Sequence, residues 1–241
     1  MGRRSAKVRD PMKAPITPPT SGAAQQQFEI QRVDAGAPEA GGRIGGVQVG
    51  FPLWKLVWTL GNVGVDRSDL WRAFMAQIRG SSRRFLGWDL GRPYPKAYPN
   101  GFSGLTRAGG GSFDGTATSW SETITADGDS QQTLNGFPAG FVLNAGDYIG
   151  YGYTATESAV AGLPWSAVTR VVEGATANGS GVITATCEPP IPAAVPSDAV
   201  ATVANPKCVM VLVSDQSSLN AIDRSLGIRG GQIVGVQDIR S

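Results

Sequence analysis

Between Gly136 and Pro206 the chain reads as a succession of short strands joined by tight turns, and nothing else in it constrains the fold as strongly. Phe141, Leu143 and Ala145 alternate with polar or small residues, and Ile149 and Tyr151 alternate with Tyr148, Gly150 and Gly152. A period of two is what a half-buried strand requires, because successive side chains leave the pleat on opposite faces. Asn144-Ala145-Gly146-Asp147 carries turn chemistry: Gly and Asn tolerate positive φ, and an Asp carboxylate bonds nearby backbone amides. Val168–Glu173 and Val182–Glu188 predict a further hairpin, with Asn178-Gly179-Ser180-Gly181 at its tip. Pro189, Pro190 and Pro192 end it, since proline has no amide hydrogen to give a ladder.

With 33 glycines and 16 prolines in 241 residues, the composition suits a turn-rich β-protein better than a helical enzyme. The expected fold is mainly β: an N-terminal β-sandwich with one short helix, followed by a smaller β-barrel-like (OB-like) unit. No apolar run approaches the roughly 18 residues that a membrane-crossing helix needs, so no membrane insertion is expected. The net charge of +2 is unevenly placed, because Arg3, Arg4, Lys7, Arg9 and Lys13 crowd the first residues. No apolar signal-peptide core follows them. A solvated or partner-bound arm accounts for this cluster more simply than nucleic-acid binding, and no nucleic-acid partner is expected.

Along the chain, residues 1–27 read as an extended, poorly ordered basic and proline-rich arm. Phe28–Val33 alternates as a first strand, and a Gly-rich connection from Gly36 to Gly46 leads to Val47-Gln48-Val49. In "FPLWKLVWTL", Trp54, Leu56, Trp58 and Leu60 share one face, too apolar to be left in water. That face must meet a second sheet, the helix or another subunit. A helix over 68–79 follows, capped by Ser68 or Asp66, with Leu70, Trp71, Phe74, Met75 and Ile78 turned inward and Gly80 as its stop. A strand from Arg83 to Asp89 leads into a loop with Tyr94, Tyr98 and Phe102, and then into a Gly-rich, flexible stretch from Thr106 to Gly115. A boundary near Thr123 divides a sandwich over 28–122 from a barrel-like unit over 123–206. Residues 207–241 are expected to return to the first domain or to a neighbour, with a strand from Gln232 to Ile239.

The chain has no histidine, which removes the commonest general base and metal ligand. No catalytic residues, cofactor or metal site are expected, and an enzyme is not. Cys187 and Cys208 sit in apolar, strand-like surroundings and read as buried free thiols, although a disulfide is open to them. The carboxylates Asp89, Asp114, Asp127, Asp129, Asp147, Glu157 and Glu173 are available for acid–base work, but most sit in turns where they cap backbone amides. Asp127-Gly128-Asp129 lacks the rest of a calcium loop. Tyr148, Tyr151, Tyr153 and Trp165 are the residues through which a barrel module could bind a host glycan.

Two blocks, together about two fifths of the chain, carry a resemblance. One is "DRSDLWRAFMAQIRGSSRRFLGWDLGRPYP". The other runs from "L-x-A-G-D-Y-I" through "R-V-V-E-G-A-T-A-N-G-S-G-V-I-T-A-T-C-E-P-P-I" to "P-S-D-A-V-A-T-V-A-N-P". In order and spacing they resemble the minor tail proteins of long-tailed bacteriophages, of the distal-tail type. The resemblance implies a virion structural protein, assembled in the host cytoplasm, that forms a ring at the tail tip. The ring is usually a hexamer and joins the tail tube protein to the baseplate hub and adsorption apparatus. Rings arise when a heterologous interface closes on itself. Trp54, Trp58, Tyr94 and Tyr98 are the candidate anchors of such an interface.

Overall fold

The computed structural model describes residues 12–38, 44–223 and 227–240, so the basic cluster before Met12 lies outside the described residues. The fold is mainly β, with several antiparallel sheets and one α-helix among the described residues.

The alternation in Leu53–Leu60 is realised as a strand in which Trp54, Leu56, Trp58 and Leu60 are buried and the residues between them half-buried. Around it a first sheet forms in the order Ala23–Gln31, Leu53–Leu60, Gly231–Gln237, Cys208–Leu212, Arg84–Gly87, every pair antiparallel. The strand nearest the C-terminus thus lies at the centre of the sheet, between Leu53–Leu60 and Cys208–Leu212. The apolar face of Leu53–Leu60 is covered twice. At Trp58 it meets Trp71 of the helix, edge to face at 6.3 Å; at Trp54 it meets Tyr148 of the second unit, edge to face at 5.8 Å.

Several expectations for this region need correcting. The first strand begins at Ala23, five residues before Phe28, and ends at Gln31. The three glutamines that made this stretch look irregular belong to an edge strand, where polar side chains can face water. The described part of the supposed arm is docked: Ile16 accepts from the Leu86 amide (3.0 Å) and donates to the Arg84 carbonyl (2.9 Å), and Pro18 is buried. The Gly-rich connection is a hairpin, Asp34–Pro38 with Ile44–Gln48. The helix runs Val65–Ile78, with Gly64 at its N-cap and no side-chain cap. Ser68 is instead buried inside it. Its hydroxyl donates to the Gly64 carbonyl (2.9 Å) or that of Val63 (3.0 Å) and accepts from the Ile228 amide (2.9 Å), tying the helix to strand Gly227–Arg229. Trp71, Phe74 and Ile78 are buried, whereas Leu70 is 55% exposed. At 100° per residue Leu70 falls off the stripe that Ser68, Trp71 and Ile78 define. Arg79, left-handed at φ 53°, begins the exit that Gly80 continues at φ 65°.

The second unit is a six-stranded antiparallel sheet in the order Val200–Thr202, Tyr148–Thr154, Pro164–Glu173, Ile183–Glu188, Ser130–Asn135, Ser119–Ile124. It curls toward closure, for Thr116 bridges Thr202 and the Ala117 amide donates to the Ala201 carbonyl at 2.9 Å. Inside lie Phe102, Phe113, Phe137, Phe141, Leu143, Tyr151 and Ile183. The boundary expected near Thr123 falls within strand Ser119–Ile124. It belongs earlier, because Phe102 and Phe113 pack with Phe137 and Phe141 of the barrel rather than with the tryptophans of the first sheet.

Candidate functional site

Where the two units meet, a cation is held between aromatic rings. Arg170, from strand Pro164–Glu173, lies 4.9 Å from the Trp54 ring and 5.3 Å from the Tyr148 ring. Its guanidinium donates to Glu29 (2.7 Å), to the Phe28 carbonyl (2.6 Å) and to the Tyr148 hydroxyl (3.2 Å). Burial opposes its charge, but the hydrogen bonds it gives to Glu29 and Tyr148, with the electrostatic pull of those two groups, outweigh this and its pKa is raised. Tyr148 in turn donates to Asp89 (3.1 Å), which also accepts from Gln26 and from the Gly91 amide. Burial pushes the Tyr148 phenol up to about 12, against the pull of Arg170. The Trp54 indole donates to the Val168 carbonyl at 2.7 Å, and Arg32 pairs with Glu188 at 2.6 Å. Bonds of this number and directionality weld the two units together.

Trp54 and Trp58 are fully buried within the chain, so the structure places these two anchor candidates in the core and not on a surface. Tyr94 and Tyr98 are half-buried on the loop that packs against the barrel. Tyr98 stacks on Phe141 at 4.2 Å and its hydroxyl accepts from the Val142 amide (3.1 Å), so its ring is also committed internally. The four residues are not brought together. The glycan candidates are spent in the same way: Tyr148 serves the seam, and Tyr151 points into the barrel. Tyr153 and Trp165 hold the C-terminal segment through the carbonyls of Arg240 (2.6 Å) and Asp238 (3.0 Å).

The carboxylates are dispersed. Asp147, buried, accepts from the amides of Asn144 (2.7 Å) and Lys96 (3.0 Å), Glu157 pairs with Arg240 (3.2 Å), and Glu173 accepts from Thr186 (3.1 Å). Among the described residues no group of three His, Cys, Asp or Glu side chains could hold a metal. Cys187 and Cys208 are free and buried. Burial pushes the Cys187 thiol up to about 12 and the Cys208 thiol higher still, which leaves both as neutral fillers of the core.

The surface feature that sequence reasoning missed lies at the base of the Asp34–Gln48 hairpin. The Val49 amide donates to the Val33 carbonyl (2.9 Å), which sets the two valines side by side, 59% and 64% exposed, and Phe51 close by in sequence is 41% exposed. Exposed apolar clusters beside an edge strand are where β-proteins meet partners. The signal available was the apolar series Val33, Val47, Val49 and Phe51 on either side of the Gly36–Gly46 connection, which was read as strand pattern and not as exposed surface.

No known protein family matches the chain, and no curated protein is detectably similar to it.

Proposed function

We propose that this chain is a virion structural protein of the distal-tail type, which closes into a ring and joins a tail tube to a baseplate hub. The tail assignment rests on the two ordered sequence blocks, 66–95 and 143–206. The single observation that carries the assembly role is the exposed pair Val33 and Val49, with exposed Phe51 two residues further on, next to the edge strand Ala23–Gln31. In a ring, such a patch on one subunit meets a different, complementary surface on the next, since heterologous contacts are the kind whose rotation can close into a ring. The welded seam supports the same reading, because a ring that transmits load needs subunits that do not flex between their two halves. Six copies are the number that tail symmetry asks for.

Native mass spectrometry of the purified chain over a concentration series tests this. A species six times the 25.1 kDa subunit is expected, and its loss in a Val49→Asp, Phe51→Asp double variant. A chain that stays monomeric at every concentration, with or without a tube protein, would overturn the ring.

A further inference from the structure

The seam between the two units is filled at one end and open at the other. On strand Tyr148–Thr154, Tyr148, Gly150 and Gly152 share one face, and on Pro164–Glu173 Val168 and Ser166 stand opposite the two glycines in register. Tyr148 and Val168 turn this face toward the first sheet, where Trp54 closes it. Further along the same face the strand carries only glycine, and a cleft of about 260 Å³ remains. Leu86 of the first sheet and Pro15 of the segment docked beside it line the cleft from one unit, Pro164 and Ser166 from the other.

The two glycines are there for different reasons. A Cβ on Gly150 would come within 3.1 Å of Pro206 Cα, so the approach of that backbone excludes a side chain. A Cβ on Gly152 would meet nothing nearer than the Val200 carbonyl oxygen at 4.0 Å, and its backbone is not left-handed. Neither crowding nor conformation demands glycine at 152, in a strand that glycine weakens. What the missing side chain provides is space. The polar groups around that space also lack partners. The Ser166 hydroxyl is buried and bonds to nothing among the described residues, an uncommon state for a buried polar group. Lys207, half-buried, lies 4.6 Å from the Trp88 ring, yet its ammonium has no oxygen acceptor among the described residues. The Asn205 side chain, exposed on a left-handed residue at φ 48°, has no partner among them either.

We infer that this cleft binds a small monocarboxylate with an aliphatic body. Leu86, the two prolines and the bare glycine backbone suit the body. The Lys207 ammonium, the Asn205 amide and the Ser166 hydroxyl all have hydrogens to give a carboxylate. The volume lies below the roughly 300 Å³ at which pockets for drug-sized ligands begin, which limits the body to a short chain. Lys207 is the one charged residue in the lining, so an amine is disfavoured and a neutral alcohol forgoes the charge-assisted bond. The cleft lies within one chain and needs no ring, so its failure and the failure of the assembly role are separable.

The test is ligand-observed NMR on the full chain with butyrate, hexanoate, octanoate and decanoate, each below its micellar range, against the primary alcohol and primary amine of equal length. At least one acid should bind with a Kd between about 10 μM and about 10 mM, and its alcohol and amine at least about tenfold more weakly. Lys207→Met keeps an apolar stem on Trp88 and should bring the acid down to the affinity of the alcohol while leaving the alcohol unchanged. Gly152→Leu should fill the cleft and weaken the acid at least about tenfold while melting no lower than the parent; Gly152→Val replaces it should leucine disturb the fold. Absence of binding by all four acids would overturn the site. So would an acid held no more tightly than its alcohol, or acid binding unchanged in the Lys207 or Gly152 variant.

Discussion

The two units of this protein solve the problem of a unique core in opposite ways. The first sheet is packed with large rings, Trp54, Trp58, Trp71, Phe74, Phe85 and Trp88, and it leaves the Trp58 indole nitrogen without a partner among the described residues. The barrel combines a phenylalanine cluster with a buried polar chain. Tyr151 and Thr169 both donate to Gln132 Oε1 (2.7 and 2.9 Å), Gln132 donates to Ser130 (3.2 Å), and Ser130 to Glu122 (2.6 Å). Shape fixes the sheet, because large rings fit only one way. Directional bonds fix the register of the barrel strands, because a slip would strand each polar group without a partner. Connectivity differs too. The barrel is wound from segments that follow one another, whereas the first sheet needs both ends of the chain.

The contrast can be broken in several places, and the largest effect is expected in the ring-packed core. Trp58→Ala removes a ring that meets Trp71, Phe85 and Trp88 and should cost about 3–5 kcal/mol, read from urea denaturation. A cost below 1 kcal/mol would mean that this core is not what holds the sheet. The next test concerns the weld. Arg170→Met keeps an apolar stem but loses the bonds to Glu29, the Phe28 carbonyl and Tyr148; since Glu29 is half-exposed, about 1–3 kcal/mol is expected. The variant should also part the tryptophan-fluorescence and far-UV transitions, which are expected to coincide in the parent; transitions that still coincide in the variant would show that the units are held by other contacts.

A smaller effect is expected with alkali. Cys187 keeps its proton up to about 12 when folded, against an ordinary 9.0, so the folded state binds the proton more tightly than the unfolded one. That contribution is complete below about pH 9 and is lost as pH rises from there toward about 12. Stability should therefore fall more steeply above pH 9 in the parent than in Cys187→Ala, and Ellman's reagent should find no thiol before unfolding. Equal slopes would remove the burial argument. The smallest change is expected on the outer face of the helix, where Leu70→Ser should stay within about 0.5 kcal/mol of the parent. A loss as large as that of Phe74→Ser would restore Leu70 to a packed position.

The same contrast explains what could be read from the sequence. The barrel hairpin Pro164–Glu173 with Ile183–Glu188 was legible because its pattern and its turn are contiguous, and Asn178 does accept from the amides of Ser180 and Val182 (3.0 Å each) at the tip. The alternation of Trp54, Leu56, Trp58 and Leu60 was legible for the same local reason. Its covering was not, since Tyr148 and Trp71 reach it through tertiary contacts that no local period encodes. The glutamine-rich start of the first strand was hidden because an edge position tolerates polar side chains. Interface anchors were sought among the largest aromatics, but in a chain of this size those rings go to the core first, and the exposed apolar surface is left to valines, Leu70, Ile124 and Phe51.

Gly87 and Cys208 stand opposite each other in register, so the chain leaves the first sheet for the barrel and returns beside the point of departure. A tension applied along the chain from Ala23 to Gln237 would run through neighbouring strands of one sheet and bypass the barrel. In mechanical terms the first sheet is the link in series and the barrel is a side load. The barrel nevertheless stays part of the link, because its Tyr148 and Val168 close over Trp54 and belong to the first sheet's own core.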